Sequence, residues 1–209
     1  MSSRGRDFSE AAATWDEKPS RVNLAKELFA AICDKAPLQS GLRLLDYGCA
    51  TGLLTLQCAP QVHSVMGVDA APGMLEVLES KAAALGLDNV GVALIEGTAP
   101  VLPGEYDRII CTMTLHHVEH VLPLLKRFYV HLVSGGTLCI ADLDPDGGKF
   151  HDNHAGTFHH GFDRTLLKGL LEEAGFANIS DSTATEIVRE GADGVTRTFS
   201  VFLMTGDRL

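Results

Sequence analysis

The chain has 209 residues, 45% of them hydrophobic and 21% charged, with a formal net charge of -10. This is the length of one ordinary core and the composition of a folded soluble protein, and no run reaches the eighteen or so consecutive apolar residues of a membrane span. The acidic balance, with no local Lys/Arg cluster against it, argues against direct binding of nucleic acid and favours a small or neutral ligand.

The N-terminal stretch "MSSRGRDFSE" lacks the apolar core of a secretory signal, so a cytoplasmic location is expected. The first helical pattern places Leu24, Leu28 and Ile32 on one stripe, with Ala25 and Phe29 beside them, and ends before Pro37. Short β-branched or leucine-rich runs follow: "LRLLDY" from Leu42, "VHSVMGVD" from Val62, "VGVALI" from Val90, "YDRIICTM" from Tyr106 and "GTLCIADL" from Gly136. These predict five strands. Between them, Met74, Leu78, Ala82 and Leu85 form a helical face before Gly86. Leu122, Leu125, Phe128, Tyr129 and Leu132 form another before Gly135 and Gly136. Strand alternating with helix predicts a parallel sheet with right-handed crossovers. A last helix, "DRTLLKGLLEEAG", has Asp163 as its N-cap and Gly175 just past its end. Two more strands, 176–189 and 195–204, are joined by the turn signal "EGADG". The five cysteines are scattered and form no C-x-x-C pair, which indicates reduced thiols and neither a disulfide framework nor a zinc motif.

In this order "LLDYGCATG", from Leu44 to Gly52, lies at the carboxyl end of the first strand and opens a helix, where open parallel sheets bind ligands. Gly48 and Gly52 let the backbone approach a ligand, and amides at a helix start face it. Asp69, closing the second strand in "VMGVDA", is placed to accept hydrogen bonds from both hydroxyls of a ribose. A dinucleotide would call for G-x-G-x-x-G, which is absent, so a nucleoside other than NAD is indicated. In the competing structural reading the glycines only permit a tight turn and Asp69 only caps a helix; the combined set favours a cofactor.

These residues resemble the class I S-adenosylmethionine-dependent methyltransferases, and within them the small single-domain enzymes of small molecules. The resemblance covers nearly the whole chain. It rests on "LLDYGCATG" as the D-x-G-x-G-x-G loop, "GVDAAPGML" as the ribose acid and following helix, "YDRIICTMTLHHV" as the fourth strand, "LVSGGTLCIADL" as the fifth, and the terminal hairpin. It implies a Rossmann-like, doubly wound α/β fold with seven strands in the order 3-2-1-4-5-7-6 and an antiparallel C-terminal strand. One domain over 1–209 is expected, with 1–38 as an N-terminal helical lid, 42–209 as the core, and loop 144–162 as a lid on the acceptor side.

The resemblance also implies roles. Asp46, Gly48 and Gly52 would line the methionine and ribose end of S-adenosylmethionine, and Asp69 would clasp the ribose. Ala70 and Met74 would touch the adenine region. Thr98 stands where relatives carry an acid for the adenine amino group, and the amide of Ala99 would donate to the ring. Ala50 replaces the middle glycine of the loop. Cys111, Thr112 and Met113 would approach the methionine portion. Trp15 would face the sulfonium or pack on the sheet edge, the latter being the favoured reading.

Methyl transfer needs alignment and desolvation, and a base only when the acceptor carries a proton. Of nine histidines, eight follow the fourth and fifth strands: His116, His117, His120, His131, His151, His154, His159 and His160. Three readings stay open. One is a general base or acceptor contact at His117, His159 or His160. A second is a metal held by His116 and His120, or by Asp142, Asp144 and His151, although no ligand motif is recognisable and no metal is expected. The third has these rings capping a helix and ordering a lid. The loop "DLDPDGGKFHDNHAGTFHHGFD" is long for a connection; its glycines predict mobility, and Phe150, Phe158 and Phe162 predict apolar contacts for an acceptor.

The function expected is in-line methyl transfer from S-adenosylmethionine to a small molecule, yielding S-adenosylhomocysteine. The alternatives are methylation of a protein partner, a non-catalytic binder or scaffold for the same ligands, and a dinucleotide-dependent reductase. The identity of the acceptor and the oligomeric state are not legible at this level.

Overall fold

A computed structural model describes residues 8–96 and 102–209. Strands β1 (Arg43–Tyr47), β2 (Ser64–Asp69), β3 (Val90–Leu94), β4 (Tyr106–Thr112), β5 (Leu132–Leu143), β6 (Ala177–Glu190) and β7 (Thr196–Asp207) form one sheet in the order β3-β2-β1-β4-β5-β7-β6. The first five run parallel, and β7 is antiparallel to both β5 and β6. This is the doubly wound α/β topology that the sequence implied, antiparallel C-terminal hairpin included.

The continuous apolar runs of the strands are explained by helices on both faces. Successive side chains point to opposite sides, so in β4 Ile109 and Cys111 join one cluster while Ile110 joins the other. On the first face lie α5 (Val121–His131) and α6 (Arg164–Ala174), with Leu125, Phe128, Leu167 and Leu171 buried against Leu45, Leu138 and Phe202. On the second lies α2 (Pro19–Lys35), whose stripe of Leu28 and Ile32 packs on Leu44, Val65, Val201 and Leu203. Pro19 begins α2, where its missing N–H costs nothing. The Asp163 carboxylate caps α6 by accepting from the amides of Thr165 and Leu166 at 2.8 and 3.0 Å, and Gly175 ends it at φ 108°.

Two local expectations change. The helix after the glycine loop is a single turn, α3 (Thr55–Cys58), continued by a 3-10 turn over Ala59–Gln61, because Pro60 cannot supply the next helical amide. The glycine pair 135–136 is not a connector before β5. The strand starts at Leu132, directly after α5, and its register against β4 shifts between Tyr106 and Arg108. Gly135, at φ 80°, makes that bulge possible. Its amide donates to the carbonyl of Arg208 at 2.7 Å, and Gly136 accepts from the Arg208 amide at 2.9 Å.

The N-terminal region continues through α1 (Phe8–Ala11) and a 3-10 turn over Ala12–Glu17, both against α4 (Pro72–Ala84). Ala12 and Met74 are buried together there, with Phe8 and Trp15 packed beside them. Among the described residues no helix is long and apolar enough to cross a membrane.

Candidate active site

Strand order reverses between β1 and its neighbours β2 and β4, which opens a crevice at the carboxyl ends of these strands. Tyr47 is level with Val68 on one side and Cys111 on the other, so Gly48, Asp69 and Met113 emerge at one edge. The loop after β1 takes positive φ at Gly48 (74°), Ala50 (47°) and Gly52 (79°). At Gly48 a Cβ would lie 2.3 Å from Thr114 Cγ2, so only glycine lets the loop pass the end of β4. Ala50 holds a conformation that L residues rarely adopt, and Met113 does so too at φ 50°.

Asp69 joins the loop to the second strand. Its Oδ2 accepts from the Ala50 amide at 2.9 Å and its Oδ1 from the Ala71 amide at 2.9 Å. Burial raises its pKa, while the amides of Ala71, Ala50 and Ala70 act against the rise. Asp46, buried at the end of β1, accepts from Thr55 Oγ1 at 2.6 Å. Burial pushes its carboxyl up to about 7, with the Thr55 hydroxyl opposing and the Asp69 charge adding to the rise.

A cavity of about 320 Å³ opens over this cradle, with Gly48, Asp69, Ala70 and Met74 on one side and Met113 and His117 on the other. A smaller one of about 140 Å³ adjoins it, and Asp46, Gly48 and Thr112 line that part. Of the residues assigned to a cofactor from the sequence, seven come together at the two cavities: Asp46, Gly48, Asp69, Ala70, Met74, Thr112 and Met113. Gly52 does not line either one: a Cβ there would lie 2.2 Å from Leu78 Cδ1, so this glycine seats the loop on α4. Thr98 and Ala99 lie outside the described residues.

Two further segments border the crevice. Phe8 and Trp15 from the N-terminal region and Phe158 from the long loop all line the larger cavity. Arg21 stacks on the Trp15 ring, 3.5 Å from its centroid, so this tryptophan is packed as well as facing the pocket. Asp16 fastens the segment, accepting from Thr51 Oγ1 and from Lys81 Nζ, each at 2.6 Å. No sequence signal marks Asp16 as this clamp, because its partners are 35 and 65 residues away.

The histidines divide. His117 lines the larger cavity, its ring edge-on to Phe8 at 5.5 Å, and its Nδ1 donates to the carbonyl of Gly156 at 2.6 Å. His120, with Glu119, also lines it. His159 and His160 do not. The His159 Nε2 bonds the Val118 carbonyl at 2.9 Å beside Phe162, and His160 packs against His154. Their rings order the loop. The loop glycines 147, 148, 156 and 161 all take positive φ, and the chain is pinned by Asp146, which accepts from the amides of Gly148 and Phe150 at 2.8 and 3.0 Å. His116 is buried, with Nδ1 donating to Asp142 Oδ1 at 2.8 Å, and its Nε2 faces His151 Nε2 at 3.1 Å. Burial and the adjacent His116 and His117 rings push the His151 imidazole down to about 4. Asp144 is held by Arg164 at 2.6 and 2.7 Å.

A family profile described as a methyltransferase domain matches residues 17–181. An uncharacterized methyltransferase of Schizosaccharomyces pombe is 26% identical over 156 residues, 67% of this chain and 55% of that protein. The ubiquinone biosynthesis O-methyltransferase of Xanthomonas campestris is 33% identical over 112 residues, 53% of this chain and 46% of that enzyme. The chain thus spans about half the length of these two curated relatives. Aklanonic acid methyltransferase of Streptomyces sp. is 27% identical over 147 residues, 68% of this chain and 66% of that enzyme. Among solved structures, the YcgJ protein from Bacillus subtilis superposes with a TM-score of 0.73 at 19% identity, covering 87% of this chain and 97% of that one. At that identity the likeness concerns the fold. The match over most of the chain, the seven-strand order and the acid-and-glycine cradle agree, and the protein belongs to the class I S-adenosylmethionine-dependent methyltransferase family.

Proposed function

We propose that this protein transfers a methyl group from S-adenosylmethionine to a small acceptor with an apolar body. The observation that carries this reading is one continuous cavity bounded at one end by Gly48 and Asp69 and at the other by His117. The cradle fits a nucleoside with a charged tail. Asp69 keeps lone-pair capacity for ribose hydroxyls beyond the backbone amides it accepts, since its two oxygens offer about four acceptor sites. Gly48, with no Cβ to meet Thr114, lets the loop backbone line both cavities. Asp46, beside the smaller cavity, gains a counter-charge when a cationic ligand enters. When bound, S-adenosylmethionine supplies the electrophilic methyl carbon.

The rest falls to the chain. Phe8 and Trp15 on one side and Phe158 on the other would exclude water, as the contacts of two lids formed by 8–38 and 144–162. Val118, Met113 and the phenylalanines offer an apolar wall, and His117 is the imidazole placed to contact the acceptor's nucleophilic atom. A cavity of about 320 Å³ is of the size of small-molecule sites, which favours a small acceptor over a macromolecule. The similarity to a ubiquinone biosynthesis O-methyltransferase and to aklanonic acid methyltransferase supports the same class.

The test is a thermal-shift titration with S-adenosylmethionine, S-adenosylhomocysteine and NADH in parallel, repeated on Asp69→Ala. A ligand at a hundred times its dissociation constant stabilises by about 2.7 kcal/mol, which raises the melting point by several degrees. A shift from the two adenosyl ligands alone, lost in Asp69→Ala, supports the reading, and acceptors are then screened by methyl incorporation. A shift from NADH alone defeats it; an adenosyl-ligand shift with no turnover on any acceptor class leaves a binding protein.

A further inference from the structure

His116 and His117 follow β4 in a 3-10 turn, and His151 lies in the loop after β5, yet one ring nitrogen from each lies within 4.8 Å of the other two. Among the described residues this is the one group of three metal-ligand side chains so arranged. We infer that His116, His117 and His151 form a three-histidine site for a divalent ion of the zinc class, one that clips the long loop onto the end of β4 beside the acceptor pocket.

The second layer of contacts is what such a site needs. A metal-binding imidazole donates its other N–H to a carboxylate or carbonyl, which fixes the tautomer and aims the lone pair. His116 Nδ1 does so to the buried Asp142 carboxylate at 2.8 Å, and His117 Nδ1 to the Gly156 carbonyl at 2.6 Å. Asp142 is itself fixed, because its oxygens also accept from the amides of Leu143 and His116 at 2.8 and 3.2 Å. Two ligand nitrogens about 2.0–2.1 Å from a tetrahedral ion stand about 3.3 Å apart. His116 Nε2 and His151 Nε2 are 3.1 Å apart, close to that separation before any ion enters. The ligand nitrogen of His117 lies within 4.8 Å of the other two.

Three neutral imidazoles select zinc and its neighbours over magnesium or calcium, which prefer oxygen. They also leave a fourth position open. Since His117 lines the larger cavity, an ion held by it would lie beside that cavity, and the imidazole assigned above to the acceptor would act on it through the ion. This last step rests on the proposed methyl transfer; the binding site itself does not. The ion's mechanical effect is to tie residues 35 positions apart, adding to the bonds by which the amides of Phe158 and His159 already reach the His116 carbonyl at 3.0 and 3.2 Å.

The test uses the full chain, freed of metal with a chelator and desalted, without S-adenosylmethionine. Zinc chloride is titrated calorimetrically, and cobalt(II) chloride is followed by visible absorption. About one ion per chain is expected, with the intense ligand-field bands of a four-coordinate cobalt site. His151→Ala should weaken binding by about 100-fold or more, and Asp142→Asn by about 10–100-fold, while His154→Ala on the same loop should change it less than about twofold. Should the buried His116→Ala variant fail to fold, the half-exposed His151 still decides the matter through His151→Ala and His151→Gln. Hydrogen exchange in 150–158 should slow with zinc in the wild type and not in His151→Ala. Substoichiometric zinc binding, or equal affinity in His151→Ala, overturns the site. Thermal shift by S-adenosylmethionine, run separately, reports the methyl-transfer reading, so either idea can fail while the other stands.

Discussion

Asp69 Oδ2 accepts the backbone amide of Ala50 at 2.9 Å, which makes the acid at the end of β2 and the loop after β1 a single unit. The same carboxylate holds the Ala71 amide at the start of α4. Removing it should therefore affect both the ligand site and the fold. Asp69→Ala is expected to abolish the adenosyl-ligand thermal shift and to cost about 1–3 kcal/mol of stability by leaving two amides unpaired. Asp69→Asn, which keeps one carbonyl oxygen, should lose less stability and still bind weakly. Calorimetric titration beside urea unfolding separates the two effects.

Asp46 predicts a pH dependence. Its carboxyl stands at about 7 in the folded protein against an ordinary 3.8, so the folded state holds the proton more tightly than the unfolded chain. Its contribution to stability is complete below about pH 4 and is lost as pH rises through about 7, amounting at most to roughly 4 kcal/mol. Urea midpoints between pH 5 and 8 should fall with pH in the wild type and fall less steeply in Asp46→Asn. Binding of a cationic cofactor should ionise the acid, so near pH 6 the calorimetric heat should reveal a released proton in the wild type and none in the variant.

At Gly48 an added Cβ meets Thr114 at 2.3 Å and the backbone sits at φ 74°. Gly48→Ala combines left-handed strain with overpacking, and a loss of about 2–4 kcal/mol is expected together with loss of the adenosyl-ligand shift. An unchanged melting point would mean that the loop is not held against the end of β4.

Ala50 predicts the opposite sign. It occupies φ 47°, where an L residue costs roughly 1–2 kcal/mol, while glycine loses roughly 0.4–1 kcal/mol more chain entropy on folding. Ala50→Gly should stabilise by about 0.5–1 kcal/mol and leave the Asp69 bond in place. Denaturant midpoints at constant m-value check this.

His117 should matter to turnover more than to cofactor binding. With an acceptor identified, His117→Ala is expected to lower kcat by roughly 10²–10⁴-fold while the cofactor dissociation constant changes less than about threefold. Exposed His63→Ala is the control. His159→Ala and His160→Ala, whose rings hold the loop, should act mainly on its protection from exchange. A larger effect on cofactor affinity than on kcat would move His117 out of the acceptor role.

Periodicity and punctuation determined the order of strands and helices, the cap at Asp163, the stop at Gly175, and the positions of Asp46, Gly48 and Asp69 at strand ends. Each is a local matter, since alternation, glycine and an acid at a strand end act within a few residues of chain. The family resemblance added the strand order, because crossover direction alone leaves several sheets possible. Tertiary structure alone decided the rest. It gave Gly52 to the packing of Leu78, put Asp16 between Thr51 and Lys81, turned the glycines of β5 into a bulge, and set His151 against His116. These contacts join distant residues through loops that carry no repeating pattern, and their geometry exists only after the sheet has placed both ends.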